Sequence, residues 1–593
     1  MGDALQKYYD LYIPEEVQTY LEPSIYAILF VSGSAILFTI FNRVRMHLKV
    51  KRAMRDARSK RAEQLKCLKQ RLQNSGLTLE MRNKILSLDI VNLQKFLKDR
   101  SLKAIDVLRA YQFKALEAQE KINCIVAIIP DAEELALKCD AQPSVTKPLH
   151  GIPISLKETI FHKGLRMTWG LGSSLLYPPA TEDSNLVKCL KELGAIPFVT
   201  TNVPQAMLTI ACDNNIYGQT LNPHKADRCP GGSSGGEAAL IGFGGSILGI
   251  GTDLGGSIRA PAHFCGVFGF KTTVNRFGTG STCNAFKDQI LIENSIGPMS
   301  QTADGLVITA KALFSPEVFE MDHKIIPVEF QNHLFEDTRK LRIGYYVTDN
   351  VVHATPACQR AVLLAKKALE ARGHTVVEFT PPRILDALCI TMHILWSDGH
   401  VLRRIIKHEK PCKEMFLART CEGFNRILSF VYIYTIFPLV SSLIDKTSSR
   451  LIRTMDGLQN YRDIYNLVNE KEKYNEEFAN AMQKDNLDAL ICPVMASPSF
   501  LLSCPNFGRF PSYPLLYNLL NYPVVSMPIT KVSEEDVNEK YNARTLPEFC
   551  LKGSLPNSVG LPINIQIAAP TAKDELALRL MKELDNELKK KTN

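Results

Sequence analysis

The amino-acid sequence predicts an α/β protein in which one large sheet is covered by helices on both faces, with a transmembrane helix ahead of it. Three observations lead to this prediction. From about residue 125, short β-branched apolar runs alternate with amphipathic helical patterns, which is typical of α/β proteins. The chain has 593 residues and is 45% hydrophobic, so it can bury a sizeable core. Near its start, eighteen consecutive residues carry no charge.

The uncharged run at residues 24–41, SIYAILFVSGSAILFTIF, is predicted to be a transmembrane helix. A helix rises 1.5 Å per residue, so this run spans about 27 Å, close to the hydrocarbon thickness of a bilayer. A cleaved signal peptide is one alternative, but it calls for a basic leader and a small-residue cleavage site. Residues 1–23 instead carry a net charge of −4, and no such site follows the run. A buried core helix is the other alternative.

Basic residues follow the uncharged run directly. Residues 43–61 hold nine Arg or Lys side chains against one acid, Asp56, for a net charge of +8. By the positive-inside rule, the chain after residue 42 lies in the cytoplasm and residues 1–23 form a short lumenal N-terminus. The remainder of the chain carries only +5. Because this body is nearly neutral, the composition does not favour nucleic-acid binding.

Helical patterns extend from about residue 53 to 120, where apolar residues recur three and four positions apart. We interpret residues 42–94 as a basic helical juxtamembrane segment and residues 95–590 as one large domain, because no repeat or low-complexity linker interrupts the latter. Nine runs in this domain are predicted to be strands: CIVAIIP, GIPISL, AIPFVTT, SILGIGTD, LRIGYYV, TVVEF, LDALICPV, PVVSMPI and LPINIQIAA. Helices are predicted between them, at DSNLVKCLKEL, ACQRAVLLAKKALEARG and DELALRLMKELDNELKK.

A second uncharged run, ILSFVYIYTIFPLVSSLI at residues 427–444, needs a different interpretation. A membrane span here would place the later predicted strands on the other side of the bilayer from the earlier ones and so divide one sheet. We therefore interpret residues 416–446 as an apolar helical hairpin, interrupted at Pro438, that enters one leaflet as a membrane cap. A buried core helix and a true span stay open as alternatives.

The fifteen cysteines are scattered, form no C-x-x-C pair and make no Cys/His cluster at zinc spacing. Reduced, mostly buried thiols are the preferred interpretation, in agreement with a cytoplasmic domain. The twelve histidines are equally dispersed. The sequence therefore predicts neither a metal site nor a cofactor.

Two serines lie in glycine runs, Ser233 in PGGSSGGE and Ser257 in TDLGGSIRAP. A serine hydroxyl is a poor nucleophile, so a hydrolase built on one needs a base and donors for the oxyanion that forms. The nucleophile elbow G-x-S-x-G is formally present around Ser233, but the elbow requires a preceding strand and LNPHKADRCP is not one. Before Ser257, SILGIGTD is a predicted buried strand, and the glycines after it let successive N–H groups approach a ligand.

Lys157 is the candidate base. Ile152, Ile154 and Leu156 beside it predict a strand that is buried on at least one face, and burial disfavours the charged ammonium. A lysine with the usual pKa near 10.4 needs a shift of about three units to be mostly neutral at pH 7, which costs roughly 4 kcal/mol. Alone, a GGSSGG run is more often a glycine turn, and a lone lysine in a strand usually extends to solvent. Their combination is what predicts catalysis.

SLKET around Lys157, together with the GGSSGGE and TDLGGSIR runs, resembles the amidase signature family. The resemblance extends over nearly the whole chain and includes TNVPQAM, KCLKELGAIPFV and SVGLPINIQIAAP. It implies a Ser-cis-Ser-Lys triad. In that triad Ser257 is the acylated nucleophile, Ser233 is the bridging proton relay whose peptide is cis, and Lys157 is the base.

The same resemblance implies which residues surround the bound substrate. Leu254, Gly255, Gly256 and Ser257 are expected to offer their N–H groups to the oxyanion. Met207 is expected to border the substrate.

For the fold, the resemblance implies a mixed sheet with helices on both faces, the amidase signature fold. For the function, it implies a membrane-anchored serine hydrolase that cleaves fatty acid amides, namely N-acylethanolamines and primary fatty acid amides, through an acyl-enzyme. It further implies a homodimer with a single-pass anchor in the endoplasmic reticulum and a cytoplasmic catalytic domain at residues 95–590. No cofactor is expected.

The chain departs from the family pattern at a few positions. Thr272 follows Lys271 where the family usually has proline, and Leu208 and Ile210 replace aromatic residues of the membrane enzyme that the chain resembles. The resemblance therefore does not specify the acyl chain. Two other functions stay open: an amidase of other small amides or esters, which has no need of a membrane anchor, and a catalytically inactive membrane scaffold, against which the intact triad argues.

Overall fold

The computed structural model describes residues 15–278, 291–397, 404–412, 445–454, 457–458, 460–504 and 509–592. Residues 1–14 of the predicted lumenal segment lie outside these ranges. The predicted cap lies outside them except for its last two residues. Both segments, and the predicted domain boundaries, stay predictions.

One mixed sheet of eleven strands runs through the described part of the chain. The strands are β1 (Ile125–Ile128), β2 (Pro153–Lys157), β3 (Ile196–Thr201), β4 (Leu248–Asp253), β5 (Phe268–Lys271), β6 (Ser295–Ser300), β7 (Arg342–Tyr345), β8 (Thr375–Glu378), β9 (Ala489–Pro493), β10 (Val524–Lys531) and β11 (Pro562–Ala568). Their order is β1-β3-β2-β4-β6-β5-β10-β11-β9-β7-β8. Parallel pairs β3-β2-β4 and β9-β7-β8 flank a central antiparallel part.

Helices surround this sheet. They are α1 (Glu15–Gln73), α2 (Leu79–Leu86), α3 (Ile90–Lys98), α4 (Ala104–Ile122), α5 (Ala132–Ala141), α6 (Asn185–Glu192), α7 (Gly235–Gly242), α8 (Arg259–Cys265), α9 (Ala303–Leu313), α10 (Pro316–Phe319), α11 (Asn332–Phe335), α12 (Pro356–Ala371), α13 (Ile384–Leu395), α14 (Lys446–Arg453), α15 (Tyr461–Lys484), α16 (Ser512–Leu519), α17 (Glu534–Asn538), α18 (Leu546–Lys552) and α19 (Asp574–Thr592). Two 3-10 turns lie at Gly172–Leu176 and Gln205–Met207.

Burial along the strands shows that both faces of the sheet are covered. Every residue of β2, β3, β4, β6, β9 and β11 is buried, whereas a sheet with one solvated face alternates between buried and exposed residues. The predicted α/β fold with a large mixed sheet is confirmed. All nine predicted strands are present, and β5 and β6 are the two that the sequence did not reveal.

The predicted helical region between residues 53 and 120 is helical but interrupted. Thr78 Oγ1 accepts a hydrogen bond from the N–H of Met81 and begins α2, and Asp89 Oδ1 accepts one from the N–H of Asn92 and begins α3. Side chains of this kind satisfy the free N–H groups at the start of a helix and so favour a new helix over a continuous one.

Helix α1 is a single element of 59 residues that includes the predicted membrane span. Its side chains are described from residue 30 onwards, and the large apolar ones up to residue 41 are exposed: Phe30, Val31, Ile36, Leu37, Phe38, Ile40 and Phe41. Within the part of the chain whose side chains are described, no helix is both long enough and apolar enough to cross a bilayer. Residues 24–29 of the predicted span fall outside that group.

The second half of α1 packs against the rest of the protein. Val50 and Met54 are buried and form a small apolar cluster with Leu175 and Ile216. Arg58 joins the same contact, because its Nε donates to the carbonyl oxygen of Ile216 at 2.7 Å. The helix is therefore attached to the catalytic domain from Val50 onwards.

Glycines in β4 allow α7 to pack directly onto the sheet. A Cβ at Gly249 would overlap Glu237 Oε1 of α7, and a Cβ at Gly251 would lie 2.9 Å from Ser234 Oγ. Glycine in a strand interior often marks such a close approach. The glycine-rich loop that holds Ser233, immediately before α7, is thereby placed over β4.

Candidate active site

Lys157 is the last residue of β2, and its side chain is completely buried. Its Nζ donates to Ser233 Oγ at 2.8 Å and to Thr252 Oγ1 at 2.7 Å, and it lies 3.4 Å from the carbonyl oxygen of Thr252. Because β2 and β4 are parallel neighbours, their carboxyl ends bring Lys157 and Thr252 to the same edge of the sheet. The structure thus places Lys157 and Ser233 in direct contact.

Burial lowers the pKa of Lys157 from 10.5 to about 7, because the ammonium loses its hydration. The charges of Asp253, Cys212 and Glu237 act in the opposite direction but do not cancel the effect. The three oxygens around Nζ belong to hydroxyls and a carbonyl, so no ion pair holds the proton on the lysine. Lys157 is therefore suited to accept a proton near neutral pH.

Ser233 is buried in the glycine-rich loop before α7. The peptide bond between Gly232 and Ser233 is cis, as the family resemblance implies. Glycine is required at position 232, because a Cβ there would overlap the carbonyl oxygen of Thr209. The loop therefore lies against residues 209–211, which follow shortly after Met207.

Ser257 lies on the turn between β4 and α8 and is partly exposed. Its carbonyl oxygen accepts a hydrogen bond of 3.1 Å from the N–H of Ser234, which joins this turn to the loop of Ser233. The strand before Ser257 is present as predicted, whereas no strand precedes Ser233. The hydroxyl of Ser257 forms no hydrogen bond with Ser233 or with any other residue that the structure describes.

The N–H groups of the turn before Ser257 differ in whether they already form a hydrogen bond. Gly256 has a φ of 104°, a conformation that favours glycine, and its N–H donates to Asp253 Oδ1 at 2.8 Å. Without a ligand this donor is used inside the turn, and the role of Gly256 toward the oxyanion stays a prediction. The N–H groups of Leu254, Gly255 and Ser257 form no hydrogen bond with the described residues and stay available to a ligand.

The carboxylate of Asp253 organises this turn, and sequence reasoning missed it. It accepts from the N–H groups of Gly256 and Ile258 and forms a buried two-point ion pair with Arg259, at 2.9 and 3.0 Å. Burial alone would raise the pKa of Asp253, but the charge and hydrogen bonds of Arg259 hold it well below its usual range. The signal in the sequence was an acid and a base at the two ends of the apolar run DLGGSIR.

Glu237 of α7 is a second buried carboxyl that the sequence did not reveal. It accepts hydrogen bonds from Ser155 Oγ of β2 and, at 2.6 Å, from Thr201 Oγ1 of β3. Thr201 is also the strand partner of Lys157. Burial raises the pKa of Glu237 to about 7. Glu237 therefore fixes the start of α7 to β2, which carries Lys157, and to the neighbouring strand β3.

Met207 ends a 3-10 turn and has a φ of 59°. The turn is held by Gln205, which is fully buried. The amide of Gln205 donates to the carbonyl oxygen of Lys410 at 3.1 Å and accepts from the N–H of Cys412 at 2.7 Å. Met207 therefore lies two residues before Thr209, which contacts the loop of Ser233. Its turn is hydrogen-bonded to residues 410–412, which lead toward the predicted cap.

A second lysine, Lys271, is buried at the end of β5 and provides a contrast. Burial lowers its pKa to about 7 as well. Its Nζ donates to the carbonyl oxygens of Tyr522 and Thr272, at 2.8 and 3.3 Å. Carbonyl oxygens carry no transferable proton, so Lys271 has the burial of a base without the hydroxyl partner of Lys157.

The sheet order and the buried contact between Lys157 and Ser233 point to one class of protein. Residues 106–578 match the family model described as Amidase. A match over this much of the chain shows the family, and the chain belongs to the amidase signature family. The resemblance inferred from its sequence motifs is confirmed.

Two named relatives show which members of the family the chain is similar to. The chain is 36% identical to fatty acid amide hydrolase 1 of Caenorhabditis elegans over 581 residues, which cover 94% of this chain and 98% of the relative. It is 35% identical to fatty-acid amide hydrolase 1 of Sus scrofa over 528 residues, which cover 87% of this chain and 88% of the relative. As a member of this family with such relatives, the chain is an amide hydrolase.

Solved structures share the fold. The structure of a fatty acid amide hydrolase superposes with a TM-score of 0.75 at 23% identity, covering 92% of this chain and 95% of that one. The peptide amidase of Stenotrophomonas maltophilia has a TM-score of 0.61 at 20% identity, covering 85% of this chain and 97% of that one. The eleven-stranded mixed sheet is therefore the amidase signature fold.

Proposed function

We propose that the protein is a membrane-anchored serine hydrolase that cleaves fatty acid amides to a fatty acid and an amine through an acyl-enzyme. The observation that carries the proposal is the hydrogen bond of 2.8 Å between Lys157 Nζ and Ser233 Oγ, in a setting that lowers the pKa of the lysine to about 7. The substrate class rests on the two relatives named as fatty acid amide hydrolases. N-acylethanolamines and primary fatty acid amides are the expected substrates.

In the acylation step, Ser257 attacks the amide carbonyl. Its proton passes to Ser233 while the proton of Ser233 passes to neutral Lys157, so one C–O bond forms and negative charge develops on the carbonyl oxygen. The N–H groups of Leu254 and Gly255, and that of Ser257 itself, are free to donate to this oxygen. A bound lipid amide would exclude water from these partly exposed donors and so strengthen the hydrogen bonds.

In the second half of the reaction, the relay runs backwards. Lys157 returns its proton through Ser233 to the amide nitrogen as the C–N bond breaks, because an unprotonated amide nitrogen is a very poor leaving group. Water then attacks the ester on Ser257, giving up its proton to the same relay. The fatty acid leaves and the hydroxyl of Ser257 is restored.

We propose that the first part of α1 anchors the protein in the membrane of the endoplasmic reticulum, with the catalytic domain in the cytoplasm. The exposed apolar side chains between Phe30 and Phe41 support the anchor, and the basic residues after them support the orientation. Lipid amides would enter from the bilayer past the predicted cap at residues 416–446, and the small amine would leave toward the cytosol. The homodimer is proposed from the family resemblance alone.

The test is covalent labelling of the full chain in membranes with a fluorophosphonate probe, with hydrolysis of an N-acylethanolamine measured in parallel. We expect the wild-type protein to be labelled at Ser257. Ser257→Ala should lose both labelling and hydrolysis and still fold, because only one hydroxyl is removed. Ser59→Ala removes a hydroxyl from the exposed surface of α1 and is the matched control that should keep both.

Each other result would contradict part of the proposal. A label that maps to Ser233 would overturn the assignment of the nucleophile. Hydrolysis of acetamide without hydrolysis of the fatty acid amide would identify an amidase of other substrates. A wild-type protein that is neither labelled nor active would be a membrane scaffold.

A further inference from the structure

Helix α1 has an outer face that no part of the described chain covers. Its inner face carries Val50, Met54 and Arg58, which pack against the catalytic domain. At 100° per residue, Arg45, Lys49 and Arg52 lie about 180°, 140° and 160° away from Met54 around the helix. These three residues, spaced four and three positions apart, form an outer basic stripe.

The outer basic stripe forms no ion pair with the residues that the structure describes, and Asp56, the one acid between residues 43 and 61, lies on the same face of the helix four residues after Arg52. Arg45, Lys49 and Arg52 are all exposed, and none forms an ion pair with a residue that the structure describes. Arg58 and Arg61, in contrast, are used for docking, since Arg61 donates to the carbonyl oxygen of Ile125 at 3.2 Å. The charge of the stripe is therefore available to a partner outside the chain.

Its position along the helix indicates which partner. The uncharged part of α1 has its last exposed large apolar side chain at Phe41, and beyond it the exposed Val44 and Leu48 alternate with basic residues. Arg45 follows Phe41 by about 6 Å along the helix and Lys49 by about 12 Å. Charges in physiological salt act over roughly 8 Å, and arginine and lysine side chains extend their heads beyond the backbone. Arg45 and Lys49 therefore reach the headgroup layer of a membrane that takes up the apolar part of α1, with Arg52 at its limit.

We propose that the outer basic stripe binds the headgroups of anionic lipids in the leaflet that faces the catalytic domain. The inference rests on the membrane anchor of the proposed function. Anionic headgroups supply counter-charges for Arg45 and Lys49, which form no ion pair with the described residues, at the depth where the stripe lies. The remainder of the protein after residue 61 is nearly neutral, so the stripe is a local feature and not part of a generally basic surface.

The experiment measures which lipids accompany the full-length protein. The protein is inserted into nanodiscs of phosphatidylcholine with a minor share of phosphatidylserine, extracted in mild detergent, and its co-purifying lipids are counted by class with mass spectrometry. Arg45→Gln/Lys49→Gln is compared with Lys60→Gln/Lys66→Gln. The control pair removes the same charge from exposed positions on the same helix, about 28 and 38 Å beyond Phe41.

We expect the wild-type protein and the control pair to retain phosphatidylserine at roughly fivefold its share of the membrane. The phosphatidylserine retained by Arg45→Gln/Lys49→Gln should fall close to its share of the membrane. High salt should lower the phosphatidylserine retained by the wild type in the same way. No enrichment in the wild type, or equal loss in both pairs, would overturn the proposal, as would failure of the chain to enter the nanodisc.

Hydrolysis of the N-acylethanolamine in detergent should be equal in the wild type and both pairs, because none of these residues touches the site. If no sample hydrolyses the lipid amide while the enrichment pattern holds, the proposed substrate fails and the lipid contact stands. If hydrolysis holds while the enrichment is absent, the lipid contact fails alone.

Discussion

At the scale of single residues, the proposed chemistry depends on a buried amine without a counter-ion. The nearest carboxylate on the same turn, Asp253, is committed to Arg259 and to backbone N–H groups, and Glu237 is committed to two hydroxyls. Lys157 therefore meets only neutral oxygens. This division of partners keeps the proton of Lys157 exchangeable, where a direct ion pair would retain it.

The first prediction concerns the role of Lys157 as base. Since its pKa is about 7 and the neutral form is the active one, amide hydrolysis by the wild type should rise as pH passes upward through about 7. Lys157→Ala should lower amide hydrolysis by about 10²- to 10⁴-fold. Ester hydrolysis should fall less, because an alkoxide leaves with less help than an amide nitrogen, so the preference for amides over matched esters should vanish.

Lys271→Ala is the matched control for this prediction, since it removes the other buried lysine. It should keep the amide-to-ester ratio even if the protein becomes less stable. If Lys157→Ala kept the wild-type ratio and pH profile, Lys157 would be a structural lysine.

The second prediction concerns stability. The pKa of Lys157 is about 7 in the folded protein against 10.5 for an ordinary lysine, as in the unfolded chain, so the unfolded chain binds one more proton between these pH values. The stability of the wild type should therefore rise with pH across this window. Lys157→Met lacks the buried amine and should be more stable at pH 7 by on the order of a few kcal/mol, less the cost of two unpaired hydroxyls.

Thermal unfolding in detergent at pH 7 and at higher pH would measure this difference. The advantage of Lys157→Met should shrink as pH approaches the pKa of the unfolded lysine. A variant that is less stable than the wild type at pH 7 would show that Lys157 is held in its charged form.

Sequence reasoning found the residues that carry the proposed chemistry but not those that hold them in place. Lys157 and Ser233 stand out because a lysine among apolar residues and a serine among glycines are unusual. Asp253 and Glu237 do not stand out, since an acid near glycines looks like part of a turn. Their roles depend on contacts with residues that are distant in the chain, such as Thr201 for Glu237.

At the scale of elements, the site depends on how closely α7 packs on β4. Gly249 provides the space, and the carboxyl of Glu237 fills it. Ser155 pairs with Gly249 across β2 and β4 and also donates to Glu237, so strand register and helix position are set by one contact. The loop of Ser233 begins at the end of α7 that this contact fixes.

The third prediction follows from that packing. Gly249→Ala should cost about 1–3 kcal/mol of stability, because its methyl group would overlap Glu237 Oε1 in a site with no room to adjust. Glu237→Asp shortens the acid by one methylene. The double variant should therefore be more stable than Gly249→Ala alone, and denaturant unfolding of both single variants and the double one would measure the coupling. Additive losses would show that the two residues do not compete for space.

Nine of the strands were predictable because each contains a short run of mostly apolar residues, and five of them, β2, β3, β4, β9 and β11, are buried along their whole length. β5 and β6 were not predicted, because both contain residues that strands disfavour. β5 has four residues and contains Gly269, and β6 contains Gly297 and Pro298, residues that are depleted in strands. Gly297 is explained only by the structure, where a Cβ would overlap the carbonyl oxygen of Phe270.

At the scale of the whole molecule, α1 belongs to the catalytic domain as much as to the proposed anchor. Its apolar contacts begin at Val50, and Arg58 and Arg61 bind backbone carbonyls of the domain. The predicted boundary between a juxtamembrane segment and the catalytic domain at residue 94 therefore separates parts that pack together.

The fourth prediction distinguishes two truncations. Deletion of residues 1–41 should leave an active enzyme that still binds membranes, because the docked part of α1 and the predicted cap at 427–444 are both retained. The protein that lacks residues 1–61 should be markedly less stable. It has lost Val50 and Met54, and the apolar side chains of Leu175 and Ile216 that they cover become exposed. Sedimentation with membranes and thermal unfolding would measure the two effects.

Complete release of the shorter truncation into the soluble fraction would show that residues 427–444 belong to the core. Equal stability of the two truncations would show that the contact of α1 with the domain contributes little.

The distance between the proposed anchor and the first docked residue has a consequence for how such an enzyme finds its substrate. Val50 follows Phe41 by nine positions, which is about 14 Å of unbroken helix. A helical connection this short and stiff would restrict rotation of the domain relative to the proposed anchor. If the proposed anchor holds, the enzyme and a lipid amide in the same leaflet would meet by lateral diffusion in two dimensions, and the fixed orientation would present the same side of the protein at every encounter.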